Sequence, residues 1–309
     1  MKRSGVQFLP LLALLLVSSP ALPQPNPTRA ASGDIARLIG EFSTAKYFWE
    51  QTDIARQLVA TGDKAVISEI RPYLETNDRR RRCNAAFVLA GLGDKRGTDM
   101  LISELEDTVL SSRIVEGGNS PGPSPAVQQV TADRYFAALL LGELREEAAV
   151  PALVAATRDE SINYEAAVSL GEIGDKSAIE ALREMVTAFP VRRVFAGYGL
   201  AALGALDGFD VLEDVALSDP VWVQRRYAVE LLGKTTDRRA VPILLRALKD
   251  EHPNVRVSAV RSLAKIGDPA ALPALRVGLS DTEVTPSNAP TTVAVEAEKA
   301  IEVIESKPR

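Results

Sequence analysis

The chain has 309 residues, 46% hydrophobic but only 5% aromatic, and alanine and leucine predominate; this is ample material for a core and suits closely packed helices better than a sheet sandwich. With 36 basic against 41 acidic residues it lacks the basic surface that nucleic acid requires. A single cysteine, Cys83, excludes an internal disulfide, and with a single histidine, His252, it excludes the usual zinc ligand sets.

In chain order, Lys2 and Arg3 precede an apolar stretch from Val6 to Val17, and Ser19-Pro20-Ala21 supplies small residues after it. This reads as a secretory signal over residues 1–21. Twelve helical residues reach about 18 Å, short of the about 30 Å of a hydrocarbon core, so cleavage is expected rather than anchoring. Residues 22–32, with Pro23, Pro25 and Pro27, read as a disordered leader. Without residues 1–21 the chain keeps 34 basic and 41 acidic residues, a net charge of −7. The expectation is an exported protein, periplasmic or extracellular, with no stable membrane insertion after cleavage.

From there on the chain repeats itself. A leucine preceded by small residues recurs at Leu58, Leu89, Leu141, Leu170, Leu200, Leu232 and Leu263, in steps of 31, 52, 29, 30, 32 and 31 residues. Apart from one enlarged step this is the period of stacked helical pairs. The small pairs stand three and four residues before the leucine, as in Ala85-Ala86, Ala137-Ala138, Ala166-Ala167, Ala196-Gly197, Ala228-Val229 and Ala259-Val260. At about 100° per residue these positions share a helix face with the leucine, where a second helix can approach closely.

The turn after the leucine helix is often Gly-Asp, at Gly62-Asp63, Gly93-Asp94, Gly174-Asp175 and Gly267-Asp268. Glycine ends one helix in the left-handed conformation and aspartate caps the next. Pro151, Pro242 and Pro273 fall in first turns, where a missing N–H costs nothing. The reading is an all-α, α-α superhelix (solenoid) of about eight helical pairs over residues 33–306, from Asp34–Phe42 and Phe48–Ala60 to a last helix over Val293–Glu305.

These residues resemble HEAT-like repeats, especially the short variety named after phycobilisome lyases. The resemblance covers about residues 34–306 and is best over Val255–Leu275 and Tyr164–Leu182. It implies a structural ladder for the arginines seven residues before the leucine, Arg82, Arg134, Arg193, Arg225 and Arg256, with Asp219 and Asp250 each six residues before an arginine. Gln51 and Asn163 replace the arginine elsewhere. The iron-binding His-Glu pairs of the HEAT-like deoxyhypusine hydroxylases are absent from this sequence, and nothing specifies the pigment site of a bilin lyase.

The enlarged step contains a loop insertion at 115–131, rich in glycine and proline, and a smaller one lies at 282–291. Gly118-Asn119-Ser120-Pro121-Gly122 matches a hydrolase pattern, but Pro121 cannot supply the oxyanion N–H. Gly233-Lys234-Thr235 imitates a phosphate loop, yet Ala228 stands where its first glycine belongs. Arg79-Arg80-Arg81-Arg82 reads as a solvated helix start. No catalytic residue, cofactor or metal is assigned.

Positions five and two residues before the leucine point away from the small-residue face and are expected to line a concave surface. They hold Phe87, Phe136, Leu139, Phe195, Tyr198 and Tyr227, a concentration of scarce rings suited to a protein or peptide partner. The competing reading packs these rings between neighbouring repeats. The functional expectation is a non-catalytic, monomeric or weakly associating scaffold for protein–protein interaction. The alternatives are an enzyme or enzyme accessory of the lyase-like branch and an architectural envelope component.

Overall fold

A computed structural model describes residues 32–108, 125–286 and 289–306. The expected signal, the expected leader as far as residue 31 and the Gly118–Gly122 motif lie outside the described residues.

The chain divides into two compact units, Met1–Gly97 and Thr98–Arg309. The first holds α1 (Ser32–Thr44), α2 (Phe48–Thr61), α3 (Val66–Ile70), a 3-10 turn (Arg71–Glu75) and α4 (Arg79–Gly91). The boundary falls within α5 (Lys95–Glu106), in the enlarged step of the repeat. The second unit continues with α6 (Pro125–Leu144), α7 (Val150–Ala156), α8 (Asn163–Ile173), α9 (Ile179–Ala188), α10 (Arg193–Ala202) and α11 (Leu206–Ser218). It ends with α12 (Trp222–Lys234), α13 (Val241–Ala247), α14 (Pro253–Ile266), α15 (Leu272–Gly278) and α16 (Val293–Ser306). Among the described residues there are sixteen α-helices and no strand beyond one isolated bridge, Val284 with Thr292: an all-α solenoid of helical pairs. No described helix is long and apolar enough to cross a membrane.

The recurring leucines occupy the even-numbered helices α2 to α14, and every one is at most 1% exposed. Each contributes about 1.5–3 kcal/mol by leaving water. The small pairs beside them are buried as expected. Between even-numbered helices, close approach also occurs at the residues just before and after the leucine. A Cβ on Gly142 of α6 would stand 2.6 Å from Oγ of Ser169 on α8, and one on Gly233 of α12 would stand 2.5 Å from Cβ of Ser262 on α14. In both places the serine hydroxyl donates at 2.9 Å to the carbonyl one turn before the glycine, Ala138 or Val229. Between α8 and α10 two glycines meet, Gly171 and Gly199. Ala201 and Leu231 stand at the corresponding places of α10 and α12, and these two helices share a much thinner contact, with α11 packed against both.

The turns follow from backbone sterics. Gly62, Gly93, Gly174, Gly204 and Gly267 have φ between +63° and +89°, and the equivalent turns after α6 and α12 force Arg145 and Thr236 to φ of 54° and 53°. Asp63, Asp94, Asp175, Asp237 and Asp268 then accept the N–H two residues on.

The insertion expected over 115–131 is shorter than that. Its last seven residues belong to α6, which starts at Pro125, because proline fits a first helical turn and no breaker follows before the buried Val130. In the smaller insertion, Thr285 is buried and its N–H donates to Thr291 at 2.8 Å.

Candidate functional site

The arginines at the head of the leucine helices form rungs. Arg225 holds Asp250 through two bonds of 2.7 and 3.0 Å and donates to the Asp219 carbonyl at 2.9 Å. Arg256 repeats this with Asp281 at 2.7 Å and the Asp250 carbonyl at 2.8 Å. Arg134 reaches Asp159 at 2.5 Å and the Leu105 carbonyl at 2.8 Å, and Arg82 reaches the Thr76 carbonyl at 2.9 Å. The aspartates also accept the N–H two residues on, at Ser161, His252 and Glu283. Bidentate pairs of this sort, withdrawn from solvent, fix orientation as well as charge.

Two ladder expectations need correction. Arg193 is the first residue of α10, whereas Arg82, Arg225 and Arg256 are the fourth of their helices; projecting from a different turn, Arg193 pairs with Asp214 on α11 at 2.6 Å. Asp219 serves Arg225 through its backbone carbonyl, and its carboxylate accepts the Val221 N–H. Where glutamine replaces the arginine, Gln51 enters the core, donating to the Phe42 carbonyl at 3.1 Å and accepting from Asn84 at 3.1 Å.

The six stripe residues divide. Phe87 is fully buried in the core of the first unit and Tyr198, packed beside Gly171 of α8, is 4% exposed in that of the second, so neither is surface. Phe136, Leu139, Phe195 and Tyr227 are half-buried. Three of them belong to a continuous row of rings. Phe136 meets Tyr135 at 5.4 Å, Tyr135 meets Tyr164 at 5.6 Å, Tyr164 meets Phe195 at 5.5 Å, and Phe195 meets Tyr227 at 6.2 Å. These separations suit stacked and tilted pairs. The row crosses α6, α8, α10 and α12.

Within this row lies an acid. Glu165 occupies on α8 the register that Phe136, Phe195 and Tyr227 occupy on their helices, and it is 2% exposed. The Tyr135 hydroxyl hydrogen-bonds its carboxyl, while Oε1 has no donor. Burial, followed by the nearby charge of Glu172, pushes Glu165 up to about 7. Burial also raises Tyr135, Tyr164 and Tyr198, each of which senses the Glu165 charge. One helix turn pair further on, Glu172 is bound at 2.6 Å by Lys234, whose ammonium lies 5.3 Å from the Tyr198 ring centre. This bridge runs from α8 to α12 across α10. Arg192 covers Tyr164 at 5.6 Å and Arg226 covers Tyr227 at 5.1 Å. Among the described residues no three metal-ligating side chains converge.

The neighbouring motifs have structural partners. Lys234 of Gly233-Lys234-Thr235 ends α12. His252 caps α14, accepting the Asn254 N–H, and stacks on Trp222 at 3.9 Å. In the first unit, Arg80 covers Phe48 and Arg81 donates to the Ala45 carbonyl.

Residues 129–198 and 209–286 match the family model of HEAT repeats. The chain is a HEAT-like repeat protein. No curated protein matches it. Among solved structures it is similar to the complex of CpcE and CpcF of phycocyanin lyase from Nostoc sp. PCC7120, at 23% identity and a TM-score of 0.46 over 77% of this chain and 94% of that one. It is also similar to human deoxyhypusine hydroxylase, at 18% and 0.35 over 89% and 97%, and to a designed armadillo repeat protein, at 16% and 0.32 over 87% and 99%.

Both matched stretches of this HEAT-like repeat protein contribute to the row, Tyr135, Tyr164 and Phe195 from the first and Tyr227 from the second. Sequence reasoning missed Tyr135, Tyr164 and Glu165. The first two stand one residue before the registers considered, and a signal for Glu165 was available, since it is the one acid among rings at that register.

Proposed function

We propose that this HEAT-like repeat protein is an exported, non-catalytic, monomeric scaffold that binds a protein or peptide across the ring row of α6, α8, α10 and α12, in a periplasmic or extracellular setting. The observation that carries the reading is a row of rings crossing α6, α8, α10 and α12, half-buried apart from the buried Tyr135. Large rings that keep one face toward solvent provide contact area at little conformational cost, which is how interface anchors act. Export rests on the sequence of residues 1–21 and is tested by the mass of the mature N-terminus in fractionated cells. For binding, a photo-crosslinking phenylalanine analogue at Phe195 is expected to give one saturable adduct. The same analogue at Val277, 73% exposed on α15, gives none. Equal labelling at both positions defeats the reading.

One observation favours a second reading, an enzyme or enzyme accessory. Glu165, Tyr135, Tyr198 and Lys234 converge, and an acid poised near neutrality is a recurrent property of catalytic sites. A small molecule that copurifies in stoichiometric amount, without a protein partner, would favour it.

A further inference from the structure

The ring row contains a carboxyl whose hydrogen bonding the fold does not complete. Of the registers five residues before the leucine on α6, α8, α10 and α12, three carry rings and one carries Glu165. Its side chain is almost wholly withdrawn from water, and Oε1 receives no hydrogen bond. A buried acceptor left in this state is rare in native folds and points to a missing donor.

The cations nearby are already engaged. Lys234 is bound to Glu172, and Arg192 donates to Asn163 Oδ1 at 2.9 Å. Facing Glu165 are Tyr135 from α6, Tyr164, Ser169 and Glu172 from its own helix, Tyr198 from α10 and Lys234 from α12. The Ser169 proton goes to the Ala138 carbonyl. The same face already holds cations against rings three times, Arg192 on Tyr164, Lys234 on Tyr198 and Arg226 on Tyr227. At Tyr198 the arrangement is complete, an ammonium between a carboxylate and a ring. At Glu165 the carboxyl and the rings are present without the cation. An N–H donor bearing positive charge satisfies both, through a charge-assisted hydrogen bond and attraction to the ring faces.

We propose that this face takes a basic side chain of the bound segment, a lysine ammonium or arginine guanidinium, with Glu165 as its counter-charge and Tyr135, Tyr164 and Tyr198 around it. Entry displaces the half-buried Tyr164 ring by a rotamer change. The inference rests on the reading of the row as a partner-binding face and names the chemistry of that partner.

The test titrates the full mature chain with tetralysine, and with tetraglutamate as charge control, following tyrosine fluorescence. Tetralysine is expected to bind and tetraglutamate not. Glu165→Gln weakens tetralysine at least tenfold, whereas Glu298→Gln, an exposed acid on α16, leaves it unchanged. Should Glu165→Gln lose helix content, Tyr164→Leu takes its place and weakens binding severalfold. Equal tetralysine affinity in the parent and Glu165→Gln, or no binding by the parent, overturns the proposal. The adduct at Phe195 separates the two claims: if it persists in Glu165→Gln while tetralysine binding is indifferent to that change, the partner face stands and the basic side chain does not.

Discussion

Glu165 on α8 and Glu296 on α16 are both buried acids, and their surroundings push them in opposite directions. The hydrogen bond from Arg261 at 3.0 Å, assisted by Thr291 and Lys299, holds Glu296 down at about 2. It therefore adds stability above the unfolded pKa of about 4.5 that is lost as pH falls toward 2. Glu165, raised to about 7 by burial, keeps a proton that the unfolded chain has released. Its contribution falls as pH rises from about 4.5 through 7, and the cost, roughly a few kcal/mol, is complete above that. Glu165→Gln is accordingly expected to raise Tm at pH 8 and to leave it nearly unchanged at pH 5. Thermal melts across that range check it, and a parallel offset at both pH values contradicts it. Among the rings, Tyr198→Ala removes a core side chain and is expected to cost about 3–5 kcal/mol in urea unfolding. Phe195→Ala, at a half-buried position, costs clearly less and acts on binding.

At the scale of the element, closeness between helices is decided by residues without bulk. Gly233→Ala drives a methyl group into Ser262, and about 1–3 kcal/mol of destabilisation is expected, partly restored by Ser262→Gly in the double variant. Asp250→Ala breaks a rung withdrawn from solvent and leaves Arg225 with its charge uncompensated apart from Glu251, so about 3–5 kcal/mol is expected from chemical denaturation. Much of this was legible in the sequence. The leucine period, the small pairs and the Gly-Asp turns follow from helix geometry alone, and they gave the layers correctly. The start of α6, the offset of Arg193 and the burial of Glu165 were not legible, because each depends on where a helix begins relative to its neighbour, although the register of Glu165 could be read from the period. A shift of one residue turns a side chain by about 100°, enough to exchange Tyr164 for Glu165 as the residue facing a partner.

For the molecule as a whole, stability in a repeat array is a sum of local terms and neighbour couplings. The contact between α10 and α12, set against the glycine-mediated contacts on either side, is the thinnest between consecutive even-numbered helices of the second unit. Lys234→Met removes the bridge to Glu172 over that place. It is expected to lower the urea m-value as unfolding loses cooperativity, which two probes with non-coincident transitions would reveal. Most of this array is indifferent to its own length, since a rung joins one repeat only to the next and duplicating a repeat recreates it. The Lys234–Glu172 bridge is different because it counts helices. One more pair inserted between α8 and α12 would part its ends by a further 8–10 Å, beyond the reach of a lysine. An insertion at the point where the rings gather would therefore forfeit this tether, whereas a repeat added beyond α8 or α12 would leave it intact.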